Sequence, residues 1–147
     1  MEYTKSAGGR RIAVTHAGAQ VAVRTVFAPE SWPLRVAVFD AEGRPKRAAP
    51  VAQDVAGPCC FAGDLAAVDR LLPRIEAGDH AALLDTGAYY FSHHYAYNTL
   101  PRPGVYGFAA HQQDVRFATV RPPQTLEELV AESGGDHAAD LSALRRP

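Results

Sequence analysis

Short apolar runs separated by glycine and proline turns make up most of the hydrophobic pattern of this chain. The runs that the pattern predicts to be β-strands are 11–16, 19–27, 33–40, 80–87, 104–111 and 114–121. The last run alternates polar and apolar residues from Val115 to Val120, as a half-buried strand does. The pattern therefore predicts a mainly β fold, arranged as an antiparallel β-barrel or a two-layer sandwich.

One segment near the end of the chain, 126–133, is predicted to be a helix. Thr125 is a suitable N-cap, Glu128 follows three residues later as in a capping box, and Gly134 and Gly135 stop the helix. The residues 133–147 are expected to form a weak turn or a flexible tail. We therefore expect 1–147 to be a single β-domain with one short C-terminal helix.

The composition is that of one folded domain with balanced charge. The 147 residues suffice for one core but not for two full domains, and 47% of them are hydrophobic. A net charge of −1 gives no basic surface for nucleic acid or membrane, and no apolar run approaches the roughly 20 residues that span a bilayer. The first residues lack the apolar core of a secretory signal. We expect a cytoplasmic protein with no nucleic-acid or membrane partner.

The chain has only two cysteines, Cys59 and Cys60, and they are neighbours in the sequence. A disulfide between adjacent residues is geometrically strained, and no C-x-x-C pair supports a zinc or redox site. Taken alone, they are either small buried apolar side chains or a functional thiol.

Four motifs follow one another between residues 57 and 103. They are GPCC, with Asp64 four residues after the second cysteine, then LPRIEAGD, DTGAYYFS and YNTLPRP. Their order and spacing resemble the C-terminal β-domain of the alanine-racemase-like (fold type III) pyridoxal-phosphate decarboxylases, which include enzymes acting on diaminopimelate and ornithine. The resemblance covers about 10–132. The segment VTHAGAQ is similar to the family's strand that leaves the barrel, with His16 in place of an aspartate.

The resemblance implies that the cofactor is anchored outside the matched region. Enzymes of the family place a (β/α)8 barrel of about 250 residues before this domain, and the barrel carries the lysine that forms the Schiff base with pyridoxal phosphate. Lys5 and Lys46 are the only lysines of this chain, and neither lies in a similar context. We therefore expect pyridoxal phosphate only in complex with a barrel partner, and no cofactor on the isolated chain.

The same resemblance suggests roles for three residues. Cys60 matches a cysteine that reaches across the dimer interface in the family and returns a proton to the substrate, whereas Cys59 falls on a variable position. Tyr89 matches a tyrosine whose hydroxyl binds the cofactor phosphate, the alternative being a core tyrosine with a satisfied hydroxyl. Asp64 matches the acid after the cysteine and is a candidate substrate ligand, unless it ties down its own turn.

Other positions depart from the family pattern. Phe61, a candidate substrate contact, stands where relatives carry an acid that grips the distal ammonium of the substrate, so a diamino acid substrate is disfavoured. His93, His94 and Tyr95 replace small uncharged residues, which makes either histidine a candidate acid or base and Tyr95 a candidate substrate contact. Leu100 replaces an arginine. Adjacent histidines on a strand face opposite sides, and the other histidines lack ligand spacing, so no metal site is expected.

Two main functions are compatible with these observations. In the first, the chain is the β-domain subunit of a split amino-acid decarboxylase and completes the active site of a separately encoded barrel subunit. In the second, it is a cofactor-independent enzyme or binding protein for a small molecule, built around Cys60 and the His93, His94 and Tyr95 cluster. A decayed fragment that regulates an intact relative is a third. The apolar face that relatives bury against the barrel needs a partner, either a barrel subunit or a second copy.

Overall fold

The computed structural model describes residues 1–112 and 114–144. The chain divides into two compact units, Met1–Asn98 and Thr99–Pro147. The mainly β fold predicted from the sequence is confirmed, and most strand pairs are antiparallel. Among the helices in these described ranges, none is long and apolar enough to cross a membrane.

The first unit contains six strands in two sheets. The strands are β1 (Tyr3–Ala7), β2 (Arg10–Val14), β3 (Val36–Phe39), β4 (Pro50–Ala56), β5 (Leu65–Pro73) and β6 (His80–Leu83). The larger sheet has the order β1-β2-β4-β5, in which the β2–β4 pair is parallel and the other pairs are antiparallel. Strands β3 and β6 form a separate antiparallel pair. The buried apolar core consists of Ala13, Val38, Val55, Ala66, Ala67, Leu72 and Ile75.

The segment 19–27 is a helix, α1 (Ala19–Phe27), so its prediction as a strand is wrong. Its valines favour a strand when the sequence is considered locally. The buried positions, however, are Ala19, Gln20, Ala22 and Thr25, and they form the inward face of this segment, although the backbone at Ala22 is not helical (φ −129°, ψ 41°). Packing of this face against the sheet therefore outweighs the local propensity.

A short helix, α2 (Gly87–Tyr90), follows β6 and lies within the DTGAYYFS motif. Asp85, just before it, has a positive φ of 64° and forms a bidentate ion pair with Arg35, with N–O distances of 2.8 and 2.9 Å. These two residues flank the paired strands β3 and β6 and join their ends. This arrangement fixes where the chain leaves the sheet and enters α2.

The second unit contains a β-hairpin and two helices. Strands β7 (Val105–His111) and β8 (Asp114–Arg121) are antiparallel, and they are followed by α3 (Leu126–Glu132) and α4 (Ala138–Ala143). The predicted helix is confirmed in α3, including the capping box: Glu128 N–H donates to Thr125 Oγ1 at 3.2 Å, and Thr125 N–H donates to Glu128 Oε2 at 2.9 Å. Part of the predicted tail forms α4, and 145–147 lie outside the described residues.

Candidate active site

Asp64 holds the turn 57–64, which connects β4 to β5. Its side chain is buried, with the residue 3% exposed, and Oδ2 accepts a hydrogen bond from Cys59 N–H at 2.7 Å. Oδ1 accepts one from Ala19 N–H, at the start of α1, at 2.6 Å. Both carboxylate oxygens are therefore engaged by backbone donors. This geometry favours the turn-anchoring alternative for Asp64 over a substrate ligand.

Gly18 and Gly57 allow α1 and the turn to approach each other closely. A Cβ atom built on either glycine would overlap the Asp64 carboxylate and the Cα atom of the other glycine. A side chain at either position would therefore separate the two segments that Asp64 joins.

The two cysteines of the turn lie in different environments. Cys59 is 7% exposed, and its Sγ lies 3.7 Å from Gln20 Oε1. Burial, with a further contribution from the charge of Asp64, raises the pKa of the Cys59 thiol above its ordinary value of 9.0. Cys60 is exposed. Cys60 is thus the accessible thiol of the pair, and it is also the one that the family register makes the candidate functional thiol.

Asn98 fixes the backbone at Cys60. Its Oδ1 accepts a hydrogen bond from Cys60 N–H at 2.7 Å. Asn98 itself adopts a left-handed conformation with a φ of 58°, which asparagine tolerates better than most residues. The YN motif and the cysteine turn are therefore joined directly at the candidate thiol.

Four aromatic rings, one of them on the turn 57–64, contact one another, and we call them the aromatic cluster: Phe27, Phe61, Tyr95 and Tyr97. Phe27 stacks on Phe61, with ring centroids 5.8 Å apart, and Tyr95 stacks on Tyr97 at 5.5 Å. Two edge contacts close the cluster, Phe61 to Tyr97 at 5.3 Å and Phe27 to Tyr95 at 6.0 Å. The structure thus brings the predicted residues Phe61 and Tyr95 into one cluster, and Phe61 follows Cys60 directly in the chain.

A second group, the arginine stack, consists of Arg24, Trp32, Tyr89 and His93. The guanidinium carbon of Arg24 lies 4.1 Å from the centroid of Trp32 and 4.7 Å from that of Tyr89. The His93 ring contacts Tyr89 edge-on at a centroid distance of 4.7 Å. Arg24 and Phe27 are three residues apart on α1, so the two groups share one side of this helix.

The neighbouring tyrosines Tyr89 and Tyr90 have different roles in packing. The Tyr90 hydroxyl lies 2.8 Å from Oγ1 of the buried Thr25, which fastens α2 to α1. Tyr89 is 47% exposed, and its hydroxyl has no hydrogen-bond partner among the described residues. Tyr89 is therefore not the satisfied core tyrosine that the sequence left as an alternative, and its hydroxyl can reach a ligand.

The predicted site residues thus fall into two groups rather than one. Phe61, which follows Cys60 in the chain, and Tyr95 belong to the aromatic cluster, whereas Tyr89 and His93 belong to the arginine stack. His94, between His93 and Tyr95, is partly buried. Within the described residues, no set of three or more His, Cys, Asp or Glu side chains is arranged to bind a metal.

The sequence did not identify four residues of these two groups, Arg24, Phe27, Trp32 and Tyr97, nor Asn98, which binds Cys60 N–H. Arg24 and Phe27 were hidden by the strand prediction for 19–27, because a strand would place them on opposite faces. Tyr97 and Asn98 lie in the YNTLPRP motif, so the motif itself was the available signal.

The two lysines lie in different environments. Lys46 is largely buried and its ammonium bonds Asp79 and Glu76. Burial by itself lowers the pKa of Lys46, but the hydrogen bonds and charges of Asp79 and Glu76 outweigh it and raise this pKa above 10.5. Lys46 is therefore held by two carboxylates and is poorly placed to form a Schiff base. Lys5 lies on the edge strand β1 and is exposed.

Comparisons with known proteins point to one family. The model of the pyridoxal-dependent decarboxylase C-terminal sheet domain matches residues 1–87. A diaminopimelate decarboxylase of Methanothermobacter thermautotrophicus is 36% identical over 114 residues, which are 78% of this chain and 26% of that protein. The chain thus spans about a quarter of the length of this curated relative.

Solved structures show the same fold. A diaminopimelate decarboxylase structure superposes with a TM-score of 0.72 at 31% identity, covering 90% of this chain and 32% of that one. A diaminopimelate decarboxylase of Helicobacter pylori complexed with L-lysine gives a TM-score of 0.72 at 24% identity, over 92% of this chain and 30% of that one.

Proposed function

This chain belongs to the pyridoxal-dependent decarboxylases of the diaminopimelate and ornithine type as their C-terminal sheet domain, and we propose that it completes the active site of a separately encoded barrel subunit. The barrel would bring the cofactor and its lysine. The sheet domain would bring Cys60 and the side chains around it. The substrate would be an amino acid or a similar small molecule.

The observation that carries this proposal is the exposed thiol of Cys60 on a fixed turn. The Asp64 carboxylate accepts hydrogen bonds from Ala19 N–H and Cys59 N–H, and Asn98 Oδ1 accepts one from Cys60 N–H. Pyridoxal phosphate, when bound, supplies an electron sink for the electron pair that carbon dioxide leaves behind. Cys60 Sγ would give its proton to that substrate carbon and regain one from water.

Two further observations support a partner. Of the two lysines, Lys46 is engaged by Asp79 and Glu76 and is not free to hold a carbonyl cofactor. The hairpin β7–β8 presents Phe108 and Phe117, each 72% exposed and paired across the strands. Exposed aromatic side chains at this density are typical of a surface that another protein covers.

The geometry gives less support to a cofactor-independent function built on Cys60 with His93, His94 and Tyr95. His93 packs on Tyr89 in the arginine stack, whereas Tyr95 packs in the aromatic cluster next to Cys60. A base that activates a thiol has to lie within hydrogen-bond distance of it. The cofactor-independent function is therefore the second candidate. If neither activity is found, the remaining candidate is a fragment without activity that regulates an intact relative.

Reconstitution tests the proposal. The chain is co-expressed with a barrel-only decarboxylase protein from the same genome, and carbon dioxide release is measured with a panel of amino acids. We expect activity only when both proteins are present, a decrease of roughly 100-fold or more in kcat for Cys60→Ala, and retained activity for Cys59→Ala. Activity that is unchanged in Cys60→Ala would exclude the proposed role of this thiol.

The isolated chain provides the complementary measurement. Mixed with pyridoxal phosphate and borohydride, it should give no stoichiometric reduced adduct on Lys5 or Lys46 in the mass spectrum. Decarboxylation by the isolated chain, or such an adduct, would contradict the need for a barrel subunit.

A further inference from the structure

We propose that the aromatic cluster is the subsite for the substrate side chain and selects an uncharged aromatic or branched apolar amino acid. This inference rests on the proposed function, because it assigns the substrate class of the same site. It adds a specificity role for Phe27, Phe61 and Tyr97, and it makes Phe61 the residue that sets the preference.

The aromatic cluster is connected to the Cys60 thiol through the chain. Phe61 follows Cys60 directly in the chain, and Tyr97 precedes Asn98, which accepts the hydrogen bond from Cys60 N–H at 2.7 Å. The two segments that fix the thiol therefore also carry two of the four rings. A substrate whose reacting carbon lies at Cys60 Sγ would place its side chain within reach of these rings.

The rings of the aromatic cluster are not closed off from solvent. Phe27 is 61% exposed, and Phe61, Tyr95 and Tyr97 are partly buried. Rings that served only the core would be closed off from solvent, since burying a phenylalanine stabilises a fold by about 1.5–3 kcal/mol. An open cluster next to an accessible thiol is suited to cover an apolar ligand group.

The segments that carry the rings contain few negative charges. The three segments that carry the rings, 19–27, 57–64 and 91–98, contain a single carboxylate, Asp64, and both of its oxygens are engaged by backbone N–H groups. Glu2, outside these segments, lines the same cavity as Cys60 and Phe61, and its Oε2 lies 3.0 Å from His16 Nε2. A substrate ammonium placed here would lose its hydration and find no free counter-charge in these segments, which is unfavourable.

The four rings of the aromatic cluster are arranged as two stacked pairs. Phe27 and Phe61 are nearly parallel, with an interplanar angle of 7°, and Tyr95 and Tyr97 form an angle of 23°. The two edge contacts join these pairs into one group. A further aromatic ring or an alkyl group packs favourably on such a group, so the cluster provides a surface for an apolar side chain.

The reconstituted complex tests this specificity. We compare kcat/KM for L-phenylalanine, L-leucine and L-lysine in the original chain and in Phe61→Glu, with Ala62→Glu as a matched control that places the same charge on the adjacent, exposed residue. We expect the original chain and Ala62→Glu to prefer phenylalanine or leucine. Phe61→Glu should shift the ratio toward lysine by roughly 100-fold. A preference for lysine in the original chain, or an unchanged ratio in Phe61→Glu, would overturn the inference.

Ligand binding to the chain alone separates this inference from the proposed function. L-phenylalanine and L-lysine are titrated separately while the ring signals of Tyr95 and Tyr97 are followed by NMR. We expect saturable shifts with phenylalanine, little change with lysine, and loss of the shifts in Phe27→Ala. If no complex decarboxylates any amino acid, the proposed function fails, and this titration still decides the subsite. Equal shifts with both amino acids, or none with either, would refute it.

Discussion

Cys59 and Cys60 show how strongly the environment of a residue can change between neighbours. Their side chains diverge at the turn, so that one thiol packs beside Gln20 and Asp64 while the other faces solvent. The sequence could predict which cysteine is functional only through the family register. The burial of Cys59 could not be predicted, because Gln20 and Ala19 reach the turn from a helix about 40 residues earlier.

We predict that iodoacetamide modifies Cys60 much faster than Cys59 in the folded protein. Cys60 is exposed, whereas Cys59 is buried and burial raises the pKa of its thiol, which decreases the reactive thiolate. The rates are measured by mass spectrometry on Cys59→Ser and Cys60→Ser, each of which keeps one thiol. In urea the two variants should react at similar rates. Faster modification of Cys59 in the folded state would contradict the geometry of the turn.

The raised pKa of Cys59 also predicts a pH dependence of stability. The folded state binds the thiol proton more tightly than the unfolded chain, whose thiol has the ordinary pKa of 9.0. The Cys59 thiol therefore makes its full contribution to the free energy of unfolding below about pH 9. This contribution is lost as the pH rises through the pKa of the thiol in the folded state, with a slope of at most about 1.4 kcal/mol per pH unit. Urea unfolding at pH 7 to 10 checks this: the difference in unfolding free energy between the original chain and Cys59→Ala should decrease above pH 9. A constant difference would contradict it.

At the scale of elements, the site depends on how α1 meets the turn 57–64. The strand prediction for 19–27 failed because the signal that sets this helix is not local: the carboxylate that accepts from its first N–H group lies 45 residues further along the chain, at Asp64. By contrast, α3 was predicted correctly because its capping box, Thr125 with Glu128, is complete within the local sequence. Strands β2, β3, β6, β7 and β8 were likewise predicted from local patterns, whereas β1, β4 and β5 were missed.

We predict that Asp64→Ala destabilises the fold by roughly 2–5 kcal/mol, because two buried backbone N–H groups, of Ala19 and Cys59, lose their acceptors. Asp64→Asn retains one acceptor oxygen and should cost less. Urea unfolding followed by circular dichroism measures both. If Asp64 were instead a substrate ligand, Asp64→Ala would keep the original unfolding free energy and raise KM in the reconstituted complex, so the two readouts separate these roles.

At the scale of the whole molecule, the hairpin β7–β8 presents several exposed apolar side chains. Tyr106, Phe108, Val115 and Phe117 are all more than half exposed. Phe108 pairs with Phe117 and Ala110 with Val115 in the antiparallel register, so these apolar side chains share one face of the hairpin. A face of this kind on a free surface favours association, either with a barrel subunit or with a second copy of the chain. The sequence indicated the alternating pattern of β8 but could not show that its apolar side stays open.

We therefore predict that Phe117→Lys weakens this association at least about tenfold, because a charge would have to be desolvated in an apolar contact. Ala118→Lys is the matched control, since Ala118 pairs with Gly107 and its side chain lies on the opposite face of the same strand. Sedimentation velocity of each variant, alone and with the barrel protein, measures both self-association and complex formation, and circular dichroism shows that the fold is retained.

If Phe117→Lys and Ala118→Lys associate as tightly as the original chain, this face is not the interface. If Phe117→Lys abolishes only self-association, the second copy is the partner that covers the hairpin. Loss of the barrel complex alone would instead place the hairpin against the subunit that brings the cofactor.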